Sequence, residues 1–167
     1  MNRCVRKLGP EDVPALREIR LQALRLHPEA FSADLDVEES FTLEQWGSRL
    51  AAATTFGGFV ADKLAGTAVF AKACSKKRAH TGELGGLYVT PAARGTGLAD
   101  ALVRAVIELA ATEVEQLSLT VNAENGSAIK LYERNGFRPI GRHPNSLRVN
   151  SRTYDELIMT LRLSDRL

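Results

Sequence analysis

The sequence has only two cysteines and no apolar stretch long enough to cross a membrane. Cys4 and Cys74 form neither a C-x-x-C pair nor a disulfide framework, which favours a reducing compartment. The opening MNRCVRKLGPED lacks the apolar run of a signal peptide, and no segment approaches the roughly 20 apolar residues of a membrane span. We therefore expect a soluble, cytoplasmic protein, with Cys74 as a small core residue.

An excess of charge of one sign is also lacking, because 22 basic and 20 acidic residues leave a net charge of +2. So small an excess predicts neither a nucleic-acid partner nor a membrane partner. Locally the charges separate. The segment 27–45 carries six acids and no lysine or arginine, and the segment 134–152 carries five arginines and no acid. Such patches are most often solvated surface.

The chain of 167 residues has an ordinary globular composition, with 44% apolar and 25% charged residues. It has no repeat and no linker, so we expect one domain over residues 1–167. Strands are predicted at 3–8, 55–61, 64–74, 80–89, 117–121, 137–142 and 153–162. Helices are predicted to begin near Pro10, at Thr42, after the turn at 94–97 and at Asn125. This order indicates a mixed α/β (α+β) fold.

A glycine-rich turn, R-G-T-G-L-A from Arg94 to Ala99, lies between a predicted strand and a predicted helix. Unpaired N–H groups at a helix N-terminus suit a pyrophosphate, and glycines let the backbone approach it. A dinucleotide fingerprint would need glycine where Asp100 stands, and no P-loop, G-x-S-x-G or H-E-x-x-H motif occurs. The turn therefore favours a phosphate-bearing ligand, although ordinary strand-to-helix turns also use glycine.

A second motif follows, N-G-S-A-I-K-L-Y-E-R-N-G-F from Asn125 to Phe137. Together with the turn and with L-Y-V-x-P at 87–91, it resembles the GNAT superfamily of acyl-CoA-dependent N-acyltransferases. These motifs cover about residues 80–140. The resemblance implies a strongly twisted central sheet of about six to seven strands, splayed near its middle and flanked by about four helices. The Gly85-Gly86 pair, unusual within a strand, indicates a bulge or a close backbone approach, and a bulge there would lie where that splay begins.

The resemblance also implies that acetyl-CoA binds in the splay as co-substrate and that no metal is needed. The positions that match the family's cofactor contacts are Leu87, Tyr88, Val89, Arg94, Gly95, Thr96, Gly97, Leu98, Ala99, Asp100, Asn125 and Ala128. Tyr132 matches the family's general acid, and Glu83 is the candidate base. Each has a plainer interpretation, since Tyr132 could pack in the core, Glu83 could be an exposed strand residue and Asn125 could only cap its helix. His80 is the next candidate base.

We therefore expect an enzyme that transfers an acetyl group from acetyl-CoA to a primary amine by direct attack. The alternative is a non-catalytic acyl-CoA-binding or sensing domain. The sequence does not identify the acceptor, and it leaves open whether the chain forms a homodimer. In the family, the segment between the first two helices commonly forms a wall of the acceptor cleft. Here it is HPEAFSADLDVEES, with five acids, which would favour a cationic amine.

Overall fold

A single seven-stranded sheet forms the centre of the protein, in a computed structural model that describes residues 3–163. The ends of the predicted domain, residues 1–2 and 164–167, lie outside the described residues. The strand order is β1-β2-β3-β4-β5-β7-β6, and only the β4–β5 pair is parallel. The mixed sheet confirms the predicted fold class. The strands are β1 Arg3–Lys7, β2 Thr54–Val60, β3 Lys63–Lys72, β4 Thr81–Val89, β5 Gln116–Asn122, β6 Arg138–Val149 and β7 Arg152–Arg162.

Among the described residues, four α-helices of nine or more residues flank the sheet, as the sequence predicted, and a fifth α-helix is only five residues long. Thr42 caps the helix that follows it through a reciprocal pair: its hydroxyl accepts from the Gln45 N–H at 3.2 Å, and Gln45 Oε1 accepts from the Thr42 N–H at 2.8 Å. Within residues 3–163 no helix has the length and apolarity to cross a membrane. The helices are α1 Val13–Leu26, α2 Leu35–Glu39, α3 Leu43–Ala52, α4 Leu98–Ala110 and α5 Gly126–Arg134.

The helices cover opposite faces of the sheet. Tyr88 packs with Ile19 and Ala23 of α1, whereas its neighbour Val89 joins the main core with Leu102 of α4. Because successive strand residues point to opposite faces, α1 lies on one face and α4 on the other. Residues of α5 belong to the same main core as α4.

The sheet splays between β4 and β5. Only three residue pairs join these strands, and the last is Glu83 with Ser118. Just beyond it β4 bulges, since Gly86 and Leu87 together oppose a single residue of β3. Gly86 has φ +57°, where side chains are strained, and its carbonyl accepts a hydrogen bond from the Thr67 hydroxyl at 3.0 Å. The predicted bulge and the predicted splay are both confirmed.

Three local predictions were wrong. Cys74 is exposed rather than buried, because it lies beyond the end of β3 in the connection to β4. His80 precedes β4 instead of lying within it. Strand β6 extends to Val149, seven residues past its predicted end, because a register shift between His143 and Leu147 absorbs the irregular segment around Pro144.

A buried carboxylate joins the three helices on the α1 face. Glu38 of α2 has a side chain only 3% exposed, and it contacts Arg20 of α1 at 2.9 Å and Arg49 of α3 at 3.0 Å. Burial pulls the pKa of Glu38 upward, but hydrogen bonds and charge from the two arginines outweigh it, so the pKa lies below its ordinary value. The pair of contacts fixes the segment between α1 and α3.

We expect Glu38→Gln to lower the free energy of unfolding by about 2 kcal/mol at neutral pH, since it removes the charge from two hydrogen bonds to arginine. Because the folded-state pKa is lowered, this stabilisation is complete above the unfolded pKa of about 4.3 and is lost as the pH falls through the folded value. Urea unfolding at pH 7 and pH 3 should therefore show a difference from the wild type that shrinks in acid. Glu44→Gln, at an exposed site, is the control. An equal difference at both pH values would contradict this role.

Candidate functional site

A cavity of about 950 Å³ opens at the splay of the sheet. Its walls come from the end of β4, the turn before α4, the start of α5, the segment after α1, and the ends of β5 and β7. Elements that are far apart in the sequence therefore meet around one space, which adjoins the unpaired edges of β4 and β5.

Eleven of the twelve residues predicted to bind the cofactor line this cavity. The exception is Thr96, whose hydroxyl donates to the Ala93 carbonyl at 2.7 Å and which borders an adjoining depression instead. The eleven are Leu87, Tyr88, Val89, Arg94, Gly95, Gly97, Leu98, Ala99, Asp100, Asn125 and Ala128.

The turn before α4 needs its two glycines. Gly95 has φ +74° and Gly97 has φ +82°, and Gly97 is the residue that precedes the helix. A Cβ on Gly95 would meet no atom within 4 Å, so this part of the turn faces open space. The first N–H groups of α4 have no partner within the helix, and they carry its partial positive charge. The turn can therefore receive an anion.

The carboxylate of Asp100, in the first turn of α4, is neutralised by α5. Arg134 donates to Asp100 through Nη2 at 2.7 Å and Nε at 3.0 Å, and Asn135 donates to it at 3.0 Å. The hydrogen bond from Arg134 is the main reason why the pKa of Asp100 is lowered, although burial opposes it. An aspartate that would otherwise repel an anion at the turn is thus held as an ion pair.

Arg94 links the turn to the segment that follows α1. Its Nε donates to the Val89 carbonyl at 3.2 Å, and its Nη2 lies 2.8 Å from Nε2 of His27. Because a guanidinium can only donate, Nε2 of His27 accepts, and the ring proton is on Nδ1, which lies 3.6 Å from Glu29. The sequence did not single out His27, because its contact with Arg94 spans 67 residues. Glu29 belongs to the acidic segment that was expected to form a wall of the acceptor cleft.

The two predicted catalytic residues lie at different depths. Tyr132 is 6% exposed and packs edge-on against Phe137 at 5.8 Å between ring centroids. Burial raises the pKa of Tyr132 well above its ordinary value. It lies one helical turn beyond Ala128, and it does not itself line the cavity.

Glu83 is 65% exposed at the last pair of the β4–β5 ladder. Its nearest cation is Arg78, at 3.8 Å, and it too lies outside the cavity lining. His80, the second candidate base, is exposed and lies three residues earlier. The structure therefore does not bring Glu83, His80 and Tyr132 together on the cavity wall.

Two asparagines hold the cavity's rim. Asn125 caps α5, because its Oδ1 accepts from the Ala128 N–H at 3.1 Å. Buried Asn122, at the end of β5, accepts from the Glu124 N–H at 2.8 Å and donates to the Glu29 carbonyl at 3.0 Å. Its turn-forming bond is local and typical of asparagine. The hydrogen bond to Glu29 joins residues 93 positions apart, so no local pattern in the sequence indicates it.

The five acids of the segment between the first two long helices have separate environments. Glu38 is buried between arginines, and Glu39 pairs with Arg25 at 2.5 Å. Asp34 and Asp36 are exposed, and neither lines the cavity. Only Glu29 does so. A second carboxylate in the cavity lining, Glu124, comes from the β5–α5 connection and pairs with Arg152 at 2.8 Å.

Within residues 3–163, no three His, Cys, Asp or Glu side chains come together in a way that could hold a metal ion. Besides the carboxylates of Glu29, Asp100 and Glu124, the cavity offers hydrogen-bond donors: the backbone N–H groups of the turn, arginines and asparagine side chains. That donor set fits an anionic, phosphate-bearing ligand.

Known proteins share this architecture. The chain is 46% identical over 66 residues, or 39% of its length, to a mycothiol acetyltransferase of Beutenbergia cavernae, and this match spans only 22% of that protein. An acetyltransferase of the GNAT family from Streptococcus pneumoniae superimposes with a TM-score of 0.84 at 24% identity, covering 95% of this chain and 98% of that one. The Salmonella typhimurium protein yncA, solved with its cofactor acetyl-CoA, superimposes with a TM-score of 0.81 at 24% identity, covering 98% and 95%.

Comparison of the sequence with protein-family models agrees with the comparison of folds. The model of the acetyltransferase (GNAT) family matches residues 18–137, which include most of α1, the splay, the turn and α5. The resemblance noted in the motifs is thereby confirmed over most of the chain, and this protein belongs to the GNAT family of acetyltransferases.

Proposed function

We propose that this protein transfers an acetyl group from acetyl-CoA to a primary amine by direct attack. The observation that carries the proposal is the continuity of one cavity from the glycine turn to the splay between β4 and β5. A long ligand with a pyrophosphate at one end and a reactive group at the other fits that shape. Family membership supports the same donor.

The turn would hold the pyrophosphate through the first N–H groups of α4, with Arg94 released from His27 to add its charge. The backbone of Leu87 to Val89, unpaired on the β5 side, would receive the pantetheine arm. A backbone N–H in that stretch would face the thioester oxygen and stabilise the negative charge that develops there. The Asn125 side-chain amide, whose oxygen is used by the cap, would contact the same arm.

Acid–base chemistry is assigned to Tyr132 and Glu83. An amine with a pKa near 10 is mostly protonated at neutral pH, so its attack needs a base. Glu83, at the point where the strands part, would take that proton through water. Tyr132, a phenol that is protonated at neutral pH, would donate to the departing thiolate.

A non-catalytic acyl-CoA-binding domain is the second candidate. It is favoured by one observation, that neither Glu83 nor Tyr132 lines the cavity. Such a domain would bind acetyl-CoA with the affinity of an enzyme, yet release no coenzyme A with any amine. Colorimetric detection of the free thiol across a panel of amines separates the two.

We further propose that the acceptor is cationic. Glu29 is the one acid of the segment after α1 that lines the cavity, and Asn122 holds its backbone in place. Glu124 adds a second carboxylate, but Arg152 neutralises it. A single uncompensated carboxylate favours an acceptor with one additional positive charge over a neutral or acidic one.

The cofactor assignment predicts that Gly97→Asp weakens acetyl-CoA binding, because it adds a negative charge to the turn that holds the pyrophosphate and places it beside Arg3. Gly97→Asn is the matched control, since asparagine has the same size and both residues tolerate the positive φ of this position. Titration calorimetry should show at least about a tenfold loss for Asp relative to Asn, and the ratio should shrink as salt rises. Equal affinities of the two variants would exclude a phosphate site at Gly97.

The acid assignment predicts that Tyr132→Phe lowers the rate constant of acetyl transfer by about ten- to ten-thousand-fold. The variant keeps the ring that packs on Phe137, so melting temperature and acetyl-CoA affinity should stay close to those of the wild type. The measurement is single-turnover kinetics, in which product release does not limit the rate. If the rate constant of acetyl transfer were unchanged in this variant, Tyr132 would have a packing role only.

The base assignment is tested by the pH dependence of the rate of acetyl transfer. Glu83→Gln should lose or displace the acidic limb of the profile, while Glu113→Gln, at an exposed site after α4, should keep it. A Glu83→Gln profile that is scaled down with an unaltered limb would mean that Glu83 only positions other groups.

The acceptor assignment predicts that Glu29→Gln lowers kcat/KM for a cationic amine by about two- to fivefold, the range for a partly exposed ion pair, and leaves neutral amines unaffected. Asp36→Asn, which removes an exposed acid of the same segment outside the cavity, is the control. The wild-type preference for charged acceptors should weaken as salt rises. If Glu29→Gln lowered kcat/KM equally for neutral and cationic amines, Glu29 would not recognise the charge of the acceptor.

A further inference from the structure

A second depression, of about 870 Å³, adjoins the main cavity on the other side of the turn. The two share Gly97, Leu98, Asp100 and Arg134 in their linings. A ligand whose pyrophosphate lies on the turn would therefore have this depression next to it.

Three arginines from different elements surround the depression. Arg3 extends from β1, Arg104 from the second turn of α4 and Arg134 from the end of α5. Arg3 lies close to the turn, because its Nη1 is 3.0 Å from where a Cβ on Gly97 would be. Arg104 lies one helical turn beyond Asp100 and helps to lower the pKa of that carboxyl.

The charges of this depression are not balanced within the described part of the chain. Asp100 is the only acid that lines it, and Arg134 already forms a two-point ion pair with that carboxylate. Arg3 and Arg104 are both exposed, and within residues 3–163 neither has a carboxylate within 4 Å. Three arginines against one aspartate leave an excess of two positive charges.

That excess matches one phosphate monoester, which carries a charge of about −1.5 to −2 near neutral pH. Coenzyme A has such a group on the 3′ position of its ribose, beyond the pyrophosphate as seen from the thioester. We propose that Arg3 and Arg104 bind the 3′-phosphate of coenzyme A and so select it over ligands that lack this group. The inference rests on the proposed function, since it assumes that the pyrophosphate lies at the turn.

The guanidinium groups suit this ligand in geometry as well as in charge. A planar guanidinium can donate two parallel hydrogen bonds to phosphate oxygens, and such bonds are stronger than those between neutral groups. Arg3 and Arg104 line the depression from a strand and from a helix. A phosphate there would pair with both guanidinium groups, whereas the bare ribose hydroxyl would leave both charges without a partner.

The test compares the affinities of coenzyme A and 3′-dephospho-coenzyme A by titration calorimetry. The wild type should bind coenzyme A at least about tenfold more tightly, which corresponds to one or two charge-assisted hydrogen bonds at an exposed site. The double variant Arg3→Ala, Arg104→Ala should bind the two ligands within about threefold of each other, mainly through loss of affinity for coenzyme A. The selectivity of the wild type should fall as salt rises.

Arg138→Ala, Arg162→Ala is the matched control. It removes the same two charges from exposed positions that line neither the cavity nor the depression, so it should keep the wild-type selectivity. Equal binding of both ligands by the wild type, or unchanged selectivity in the Arg3, Arg104 variant, would contradict the 3′-phosphate site alone. Failure of the wild type to bind either ligand would contradict the proposed function, and with it this inference.

Discussion

The parting of β4 from β5 is the constraint on which the rest of the site depends. Hydrogen bonds between the strands stop at Glu83 and Ser118, and beyond them each strand has an unpaired edge inside the sheet. Backbone groups at such an edge need partners, whether water or a ligand. The bulge at Gly86 is local, because β3 and β4 regain their register by Tyr88. Around the gap, β4 stays paired with β3 and β5 stays paired with β7, so the sheet remains in one piece.

An opening in the middle of a sheet costs stability unless other contacts bridge it. Asn122 is the clearest bridge, since its amide connects the end of β5 with the backbone at Glu29, and α1 packs on β4 through Tyr88. On the opposite face, Arg134 of α5 holds Asp100 of α4 through two hydrogen bonds. Each bridge uses a polar side chain that is satisfied at both ends, which is the condition for keeping polar groups partly buried without penalty.

The sequence predicted best those features that depend on residues close together along the chain. The turn at Gly95 and Gly97, the cap at Asn125 and the bulge at Gly86 each follow from the conformational needs of a few neighbouring residues, and all three are present in the structure. Of the twelve residues that the motifs assigned to the cofactor, eleven line the cavity. Cys74 was misplaced because a small apolar residue at a strand end has no local signal that separates core from loop.

The residues that the sequence missed are those whose partners lie far along the chain. Nothing near His27 indicates Arg94, 67 residues later, and nothing near Glu29 indicates Asn122, 93 residues later. Distant partners also explain why the acidic segment after α1 does not form the expected negative wall. Counting its five acids suggested a negative wall, but Glu38 and Glu39 are paired with arginines of α1 and α3, which lie outside that segment. The field in a cavity depends on which charges remain uncompensated after folding, and along this segment the cavity retains only Glu29. Charge runs in a sequence therefore predict a binding preference only when the positions of the opposite charges are known as well.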